Sequence, residues 1–140
     1  MSDRYFLDTN IIVYSFDTAD PRKALTAQKL VTRAATSGLG TISSQVVQEF
    51  MNVGLRKFKA TMTAVELERY FLRVLLPMMR IQSSASLFME ALQMQASNQL
   101  AWYDSLIVVA ALQDDCKILY TEDLQHGRRF GDLIVQNPFL

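Results

Sequence analysis

The 140-residue sequence holds one cysteine, one histidine, three prolines and five glycines. A single cysteine closes no internal disulfide, and one histidine beside it makes no cluster spaced for structural zinc, so a stapled or zinc-nucleated fold is excluded. Long apolar runs are also missing. Nothing approaches the ~18 residues of a membrane span, and Met1–Tyr5 carries no apolar leader, which points to a reducing, cytoplasmic setting. Nor is either charge in excess: 14 Lys and Arg face 14 Asp and Glu, which argues against nucleic-acid binding by bulk electrostatics alone. What remains is a half-apolar chain of a length that buries roughly two-thirds of its unfolded surface, enough for one core and a single domain over residues 1–140.

The neutral total is a sum of opposed segments. Residues 51–80 carry 6 bases against 2 acids, while residues 81–116 carry 4 acids and no base. Short apolar stretches at Arg4–Leu7, Leu39–Ile42, Met78–Ile81, Lys117–Tyr120 and Leu133–Gln136 read as strands, and the segment Ile11–Phe16 is apolar enough to pack on the first. Between them lie helix signals. Asp20-Pro21 opens a helix that Ser37-Gly38 stops, Ser43 or Ser44 opens another to about Leu55, and Thr63-Ala-Val-Glu66 is a capping box whose helix ends before Pro77. Ser83 or Ser84 opens a helix to about Ser97 with Leu87, Met89, Leu92 and Met94 available to the core. The stretch Tyr103–Asp114 is apolar on every face from Leu106 to Leu112, as a helix buried between layers would be. Strands without alternation, separated by helices, predict a three-layer α/β/α sandwich around a short parallel sheet.

In such folds, ligands sit outside the carboxyl ends of the strands. Asp8 ends the first strand, Asp123 follows the fourth, Asp104 lies in the first turn of the apolar helix, and Glu49 projects from the helix after the second strand. Each acid alone has an ordinary structural reading as a cap, a first-turn acid or a turn former. Together they would repel one another, and burial would raise their pKa, unless a cation compensates. Oxygen-only ligation suits Mg²⁺ or Mn²⁺, which can acidify water and stabilise charge at a phosphodiester.

Four motifs in order carry a more specific signal: Asp8-Thr9-Asn10 after a strand, Glu49 in Val-Val-Gln-Glu-Phe, Trp102-Tyr103-Asp104-Ser105, and Leu119-Tyr120-Thr121-Glu122-Asp123, closed by Asn137-Pro138-Phe139. From residue 5 to residue 139 they resemble a PIN domain, and within it the VapC-type toxins of type II toxin–antitoxin pairs. The resemblance implies an Mg²⁺- or Mn²⁺-dependent endoribonuclease that hydrolyses RNA with metal-activated water, leaving 5′-phosphate and 3′-hydroxyl ends. It implies Asp8, Glu49 and Asp104 as metal-holding acids, with Asp123 as a fourth. Thr9, Asn10 and Thr121 fall where supporting polar residues stand. A cognate antitoxin and a homodimer are implied as partners. Alternatives are a PIN-type RNA-processing nuclease that is not a toxin, and a noncatalytic RNA-binding module.

A phosphoaspartate enzyme built on Asp8 would want an acid two residues on, where Asn10 stands. Arg56, Lys57 and Lys59 after the Glu49 helix, and Arg128 and Arg129 after the Asp123 turn, are candidate RNA-phosphate contacts, or else ordinary surface charge. Glu122 should point away from its neighbour Asp123 on an extended segment. His126 reads as a turn residue and Cys116 as a small buried hydrophobe. Trp102 and Tyr103 read as packing aromatics able to stack on bases.

Overall fold

A computed structural model describes residues 3–58 and 62–140. At its centre is β1 (Tyr5–Leu7), three consecutive buried residues, as a strand covered on both faces requires. Parallel to it on either side lie β2 (Gly40–Ser43) and β4 (Ile118–Tyr120); β3 (Met79–Ile81) adds outside β2, and β6 (Leu133–Gln136) outside β4. A two-residue strand, β5 (Arg129–Phe130), pairs antiparallel to β6, so the order is β3-β2-β1-β4-β6-β5. The five parallel strands stand where the sequence puts them. β5 is an addition, because two residues turned back at Gly131 (φ 60°) leave no periodicity to read. In β6 burial alternates, with Leu133 and Val135 inside and Ile134 and Gln136 half-covered, since the sheet's flank is covered more fully on one face.

The helices are α1 (Thr9–Tyr14), α2 (Pro21–Ser37), α3 (Ser44–Lys57), α4 (Ala64–Tyr70), α5 (Leu76–Met78), α6 (Ala85–Asn98) and α7 (Trp102–Gln113), with a π-helical turn, Phe71–Leu75, joining α4 to α5. The chain steps outward from β1 through β2 to β3, then returns to β4 on the other side of β1. Right-handed crossovers therefore carry α1–α5 over one face and α6 and α7 over the other, which makes the expected three layers. Consistent with this, α1 packs on α2 and α3, and α6 on α7. The winding reverses between β1 and β4, and the crevice above the carboxyl ends of these two strands is where such sheets take ligands.

Local chemistry sets most boundaries. Asp20 accepts the Lys23 N–H at 3.1 Å with Pro21 in the first turn, and Gly38 ends α2 in the left-handed region at φ 73°. Ser43, Thr63 and Ser84 cap α3, α4 and α6, and Glu66 completes the capping box with Thr63. Gly40 has a tertiary reason: a Cβ there would lie 2.3 Å from the Ala34 Cβ, so only glycine lets β2 lie against α2.

The apolar segment Ile11–Phe16 joins the core with β1, as expected, and is largely helical, as α1, because the Asp8 carboxylate caps it by accepting the Thr9 N–H. Two expectations need correction. Helical structure continues through Pro77 rather than ending before it. The preceding π turn, where the Leu76 N–H reaches the Phe71 carbonyl, spares the proline the N–H it cannot supply. On α6, Met89 and Leu92 are exposed, at 62% and 59%, because the inward face is Leu87, Ala91 and Met94. Cys116 is buried, as expected, and burial pushes its thiol up to about 11, which keeps it unreactive. No helix among the described residues is long and apolar enough to cross a membrane.

Candidate metal centre

Asp8 reaches the crevice because β1 stops one residue earlier. Its N–H still bonds the Tyr120 carbonyl across to β4 at 3.0 Å, so the backbone is held in register while the side chain leaves the sheet. Asp8 as a whole is 7% exposed. Its Oδ1 accepts the Thr9 N–H at 2.7 Å and its Oδ2 accepts the Thr121 hydroxyl, also at 2.7 Å. That same Thr121 oxygen accepts the Asp123 N–H at 3.0 Å, so one side chain fixes both the first acid and the turn carrying the last.

Glu49 is aimed by the packing of α3. Val46, Phe50 and Gly54 are buried along one stripe, and Phe50 meets Phe16, Phe58 and Tyr70 in an aromatic cluster with ring centroids 5.6–6.3 Å from it. This locks the helix rotation and turns Gln45 and Glu49, one turn apart on the neighbouring stripe, toward the carboxyl edge of the sheet. Glu49 Oε1 accepts the Thr9 hydroxyl at 2.8 Å, and the Gln45 amide lies 3.5 Å from it. Asp104 stands half-buried at the start of α7, whose residues Ser105–Ala111 are all buried. Asp123 is exposed and accepts the Asn10 amide at 3.2 and 3.3 Å. Consecutive residues of α1 thus address three different acids: Thr9 binds Asp8 and Glu49, and Asn10 binds Asp123.

Electrostatics set this group apart from the other acids. Burial drives Asp8 from 3.8 up to about 7, against the lowering pull of its Thr121 and Thr9 hydrogen bonds, and the charges of Asp123 and Glu49 add to the rise. Asp104 is raised as well, first by burial and then by Asp123 and Glu49. The contrast is Asp114, at the opposite end of the sheet. Burial raises it too, but hydrogen bonds from Arg80 (2.8 and 3.3 Å) and Thr41 (2.7 Å), with the charges of Arg80 and Arg4, outweigh that and hold it low. Asp114 has its cations within the chain; among the described residues, the charges that act on Asp8 and Asp104 are those of other acids.

No three His, Cys, Asp or Glu side chains among the described residues draw together as a ready cluster of metal ligands. Thr9, Asn10 and Thr121 hold Asp8, Glu49 and Asp123 by hydrogen bonds, and the like charges of the group repel. A hard cation that keeps most of its waters and takes one or two carboxylates directly fits such an all-oxygen set. Asp8, Glu49, Asp104 and Asp123 are the candidates that would hold such an ion.

Of the other residues singled out from sequence, Glu122 does point away from the acids. It accepts the Tyr14 hydroxyl and pairs with Lys23 at 3.0 Å. His126 Nδ1 accepts the Asn137 N–H at 3.0 Å, tying the turn to the last residues. Arg56 and Lys57 are exposed in the last turn of α3, two turns beyond Glu49, and Lys59 lies outside the described residues. Arg128 donates to the Asn98 carbonyl at 3.2 Å and covers the Phe130 ring, whereas Arg129 is exposed on β5. Two features escaped the sequence reading: the Asp114 ion network and the Gln45 bridge to the acids. A Gln four residues before Glu on one helix was the available signal for the second.

The sequence matches the PIN domain family over residues 5–129. No curated protein matches it. Among solved structures, a toxin–antitoxin complex from Klebsiella pneumoniae contains a chain that is 19% identical, with a TM-score of 0.69, covering 96% of this chain and 97% of that one. VapBC2 from Rickettsia felis, bound to a DNA fragment from its promoter, contains one at 22% identity and a TM-score of 0.59, covering 95% and 97%. At these identities, the likeness establishes the fold.

Proposed function

The chain belongs to the PIN-domain family, and on that footing we propose that it is a divalent-metal-dependent endoribonuclease serving as the toxin of a toxin–antitoxin pair. The observation that carries the chemistry is Asp8: a nearly buried carboxyl at the point where the sheet reverses, faced by Glu49 and Asp123. Such a group persists at a stability cost when something binds there, and strongly perturbed carboxyls in a crevice cluster at functional sites. The similar solved chains come from toxin–antitoxin complexes, which supports an antitoxin as partner. RNA as substrate, a homodimer, a cytoplasmic setting and a single domain over residues 1–140 complete the reading.

Asp8, Glu49, Asp104 and Asp123 would hold a divalent ion, whose chemistry there would be to acidify water and offset the charge that develops on a phosphodiester. The chain's own residues do the positioning. Thr121 holds the Asp8 Oδ2 by donating its hydroxyl proton, and the Thr9 N–H holds Oδ1, so both oxygens keep a fixed direction. Thr9 and Asn10 hold Glu49 and Asp123 at the rim of the same crevice. Hydrolysis joins a water oxygen to phosphorus and breaks the P–O3′ bond, giving a 5′-phosphate and a 3′-hydroxyl. Arg56, whose Nε donates to the Asn52 carbonyl at 3.2 Å, and Lys57 and Arg129 are exposed at the surface, where they would meet flanking phosphates.

The test is cleavage of cellular RNA by purified protein with Mg²⁺ or Mn²⁺, mapped by sequencing of the new 5′ ends. Cleavage that survives EDTA, or survives Asp8→Asn or Asp104→Asn, would refute the metal site. Growth arrest on expression that persists in Asp104→Asn would refute the toxin reading.

A further inference from the structure

Beside the acids lies a second concavity of about 250 Å³, at the same carboxyl edge of the sheet but over β2 and β3. Its walls are the starts of α3, α6 and α7, and the residues that give it character are Ser44, Gln45, Gln48, Ser83, Phe88 and Trp102. No charged side chain among the described residues lines it. Phe88 and Trp102 stand with ring centroids 6.4 Å apart at 42°, and Phe88 is 44% exposed although it is a large apolar residue. The Ser44 hydroxyl accepts the Ser83 N–H at 3.2 Å, which pins the loop after β3 to the start of α3 and gives the pocket a fixed floor. One residue belongs to both concavities. The Gln45 amide lies 3.5 Å from Glu49 Oε1 and 3.5 Å from the carbonyl of Tyr103, the residue before Asp104.

We propose that this pocket holds one unpaired nucleobase of the RNA, the base adjoining the phosphate positioned at the carboxylates. Its chemistry divides as a base does: aromatic faces for stacking, and neutral amides and hydroxyls for the base edge, each amide offering a donor and an acceptor. An uncharged lining suits a neutral base and offers nothing to a phosphate, so the pocket and the acids sort the two halves of a nucleotide. At about 250 Å³ it falls below the roughly 300–1,000 Å³ of drug-sized sites, which leaves room for one ring system and none for a partner helix. A base can enter only if unstacked and unpaired, so the substrate is a single-stranded segment, loop or end. The Gln45 and Gln48 amides then set which base is preferred at the cleavage position.

The identity of the phosphate's neighbour rests on the nuclease reading; binding of the base does not, and the experiment separates them. Trp102 is the only tryptophan in the chain, so its indole N–H gives a single NMR resonance in the pocket. The four uncharged nucleosides, titrated in EDTA, probe the pocket without phosphate, metal or turnover, with ribose as the control. Saturable movement of that resonance by at least one nucleoside and none by ribose is the expected result. Phe88→Ala, and Phe88→Leu as the variant that keeps apolar packing, should weaken it by roughly ten-fold, at the low end of what one stacked base contributes. The same variants should broaden the base preference at the mapped cleavage position. Equal response to ribose, no response to any nucleoside, or an unchanged cleavage preference in both Phe88 variants would overturn the proposal. Nucleoside binding in a protein that cuts no RNA would overturn the nuclease reading and leave the base pocket standing.

Discussion

Replacing Asp8 by Asn removes a charge that the fold holds against its own stability. The folded carboxyl binds its proton more tightly than the unfolded chain does, with a pKa of about 7 against 3.8. The stabilisation from that proton is complete below pH 3.8 and is lost as pH rises toward and through 7. At about 1.4 kcal/mol per pH unit, the loss amounts to about 4 kcal/mol at pH 8 but only about half a kcal/mol at pH 4. Because Asp8 is 7% exposed, solvent screens little of this. The amide has nearly the same shape, and its oxygen can still accept the Thr9 N–H. Asp8→Asn should therefore match the parent protein at pH 4 and exceed it by about 2–4 kcal/mol at pH 8. The assay is urea unfolding followed by circular dichroism, in EDTA, at several pH values. A stability difference that does not change with pH, or a variant less stable than the parent at pH 8, would refute the reasoning. Mn²⁺ at saturation should then close most of that gap. Ligand at a hundred times its Kd adds about 2.7 kcal/mol to a protein that binds it and nothing to one that does not.

Asp114→Asn should show the opposite pH signature. Its carboxylate is held low by Arg80, Thr41 and Arg4, so its stabilisation is present at neutral pH and lost as pH falls through that lowered value. The same unfolding assay should find the variant about 1–2 kcal/mol less stable at pH 7, with the gap closing in acid and cleavage intact. Thr121→Val deletes the bond to Asp8 and the one that anchors Asp123; Mn²⁺ affinity by calorimetry should fall by roughly 10- to 100-fold. Glu122→Gln touches only the Tyr14 and Lys23 contacts, so affinity and cleavage should stay within about two-fold, since a partly exposed ion pair contributes about 0–1 kcal/mol. Gly40→Ala drives a methyl into Ala34 and should cost about 1–3 kcal/mol or more in thermal unfolding.

Much of the architecture was legible because its signals are local. Asp20-Pro21, Gly38, Ser43, the Thr63–Glu66 box and Ser84 each act within one turn of chain, and all stand at the helix ends assigned from sequence. The five parallel strands were legible for a related reason: a strand buried on both faces must be apolar throughout. What failed depended on partners distant in sequence. Met89 and Leu92 looked like core because hydrophobicity alone does not say which stripe of α6 meets α7. Pro77 looked like a stop because a π turn, which frees it from its missing hydrogen bond, leaves no mark in the residue pattern.

The candidate site divides the same way. Residue types and their order mark Asp8, Glu49, Asp104 and Asp123 as candidates, and the resemblance adds Thr9, Asn10 and Thr121, which the fold does bring into hydrogen bonds with Asp8, Glu49 and Asp123. Which acid carries which role depended on tertiary structure. Asp8 and Asp114 are both acids at the end of a regular element. Only the fold gives Asp114 an arginine pair and a threonine while it buries Asp8 with hydroxyl and amide donors and two more carboxylates. The sequence determined the elements and the inventory of charges. The tertiary structure decided the distances and the burial, and therefore which charges are compensated, because Coulomb energy and desolvation depend on position in space and not on position in the chain.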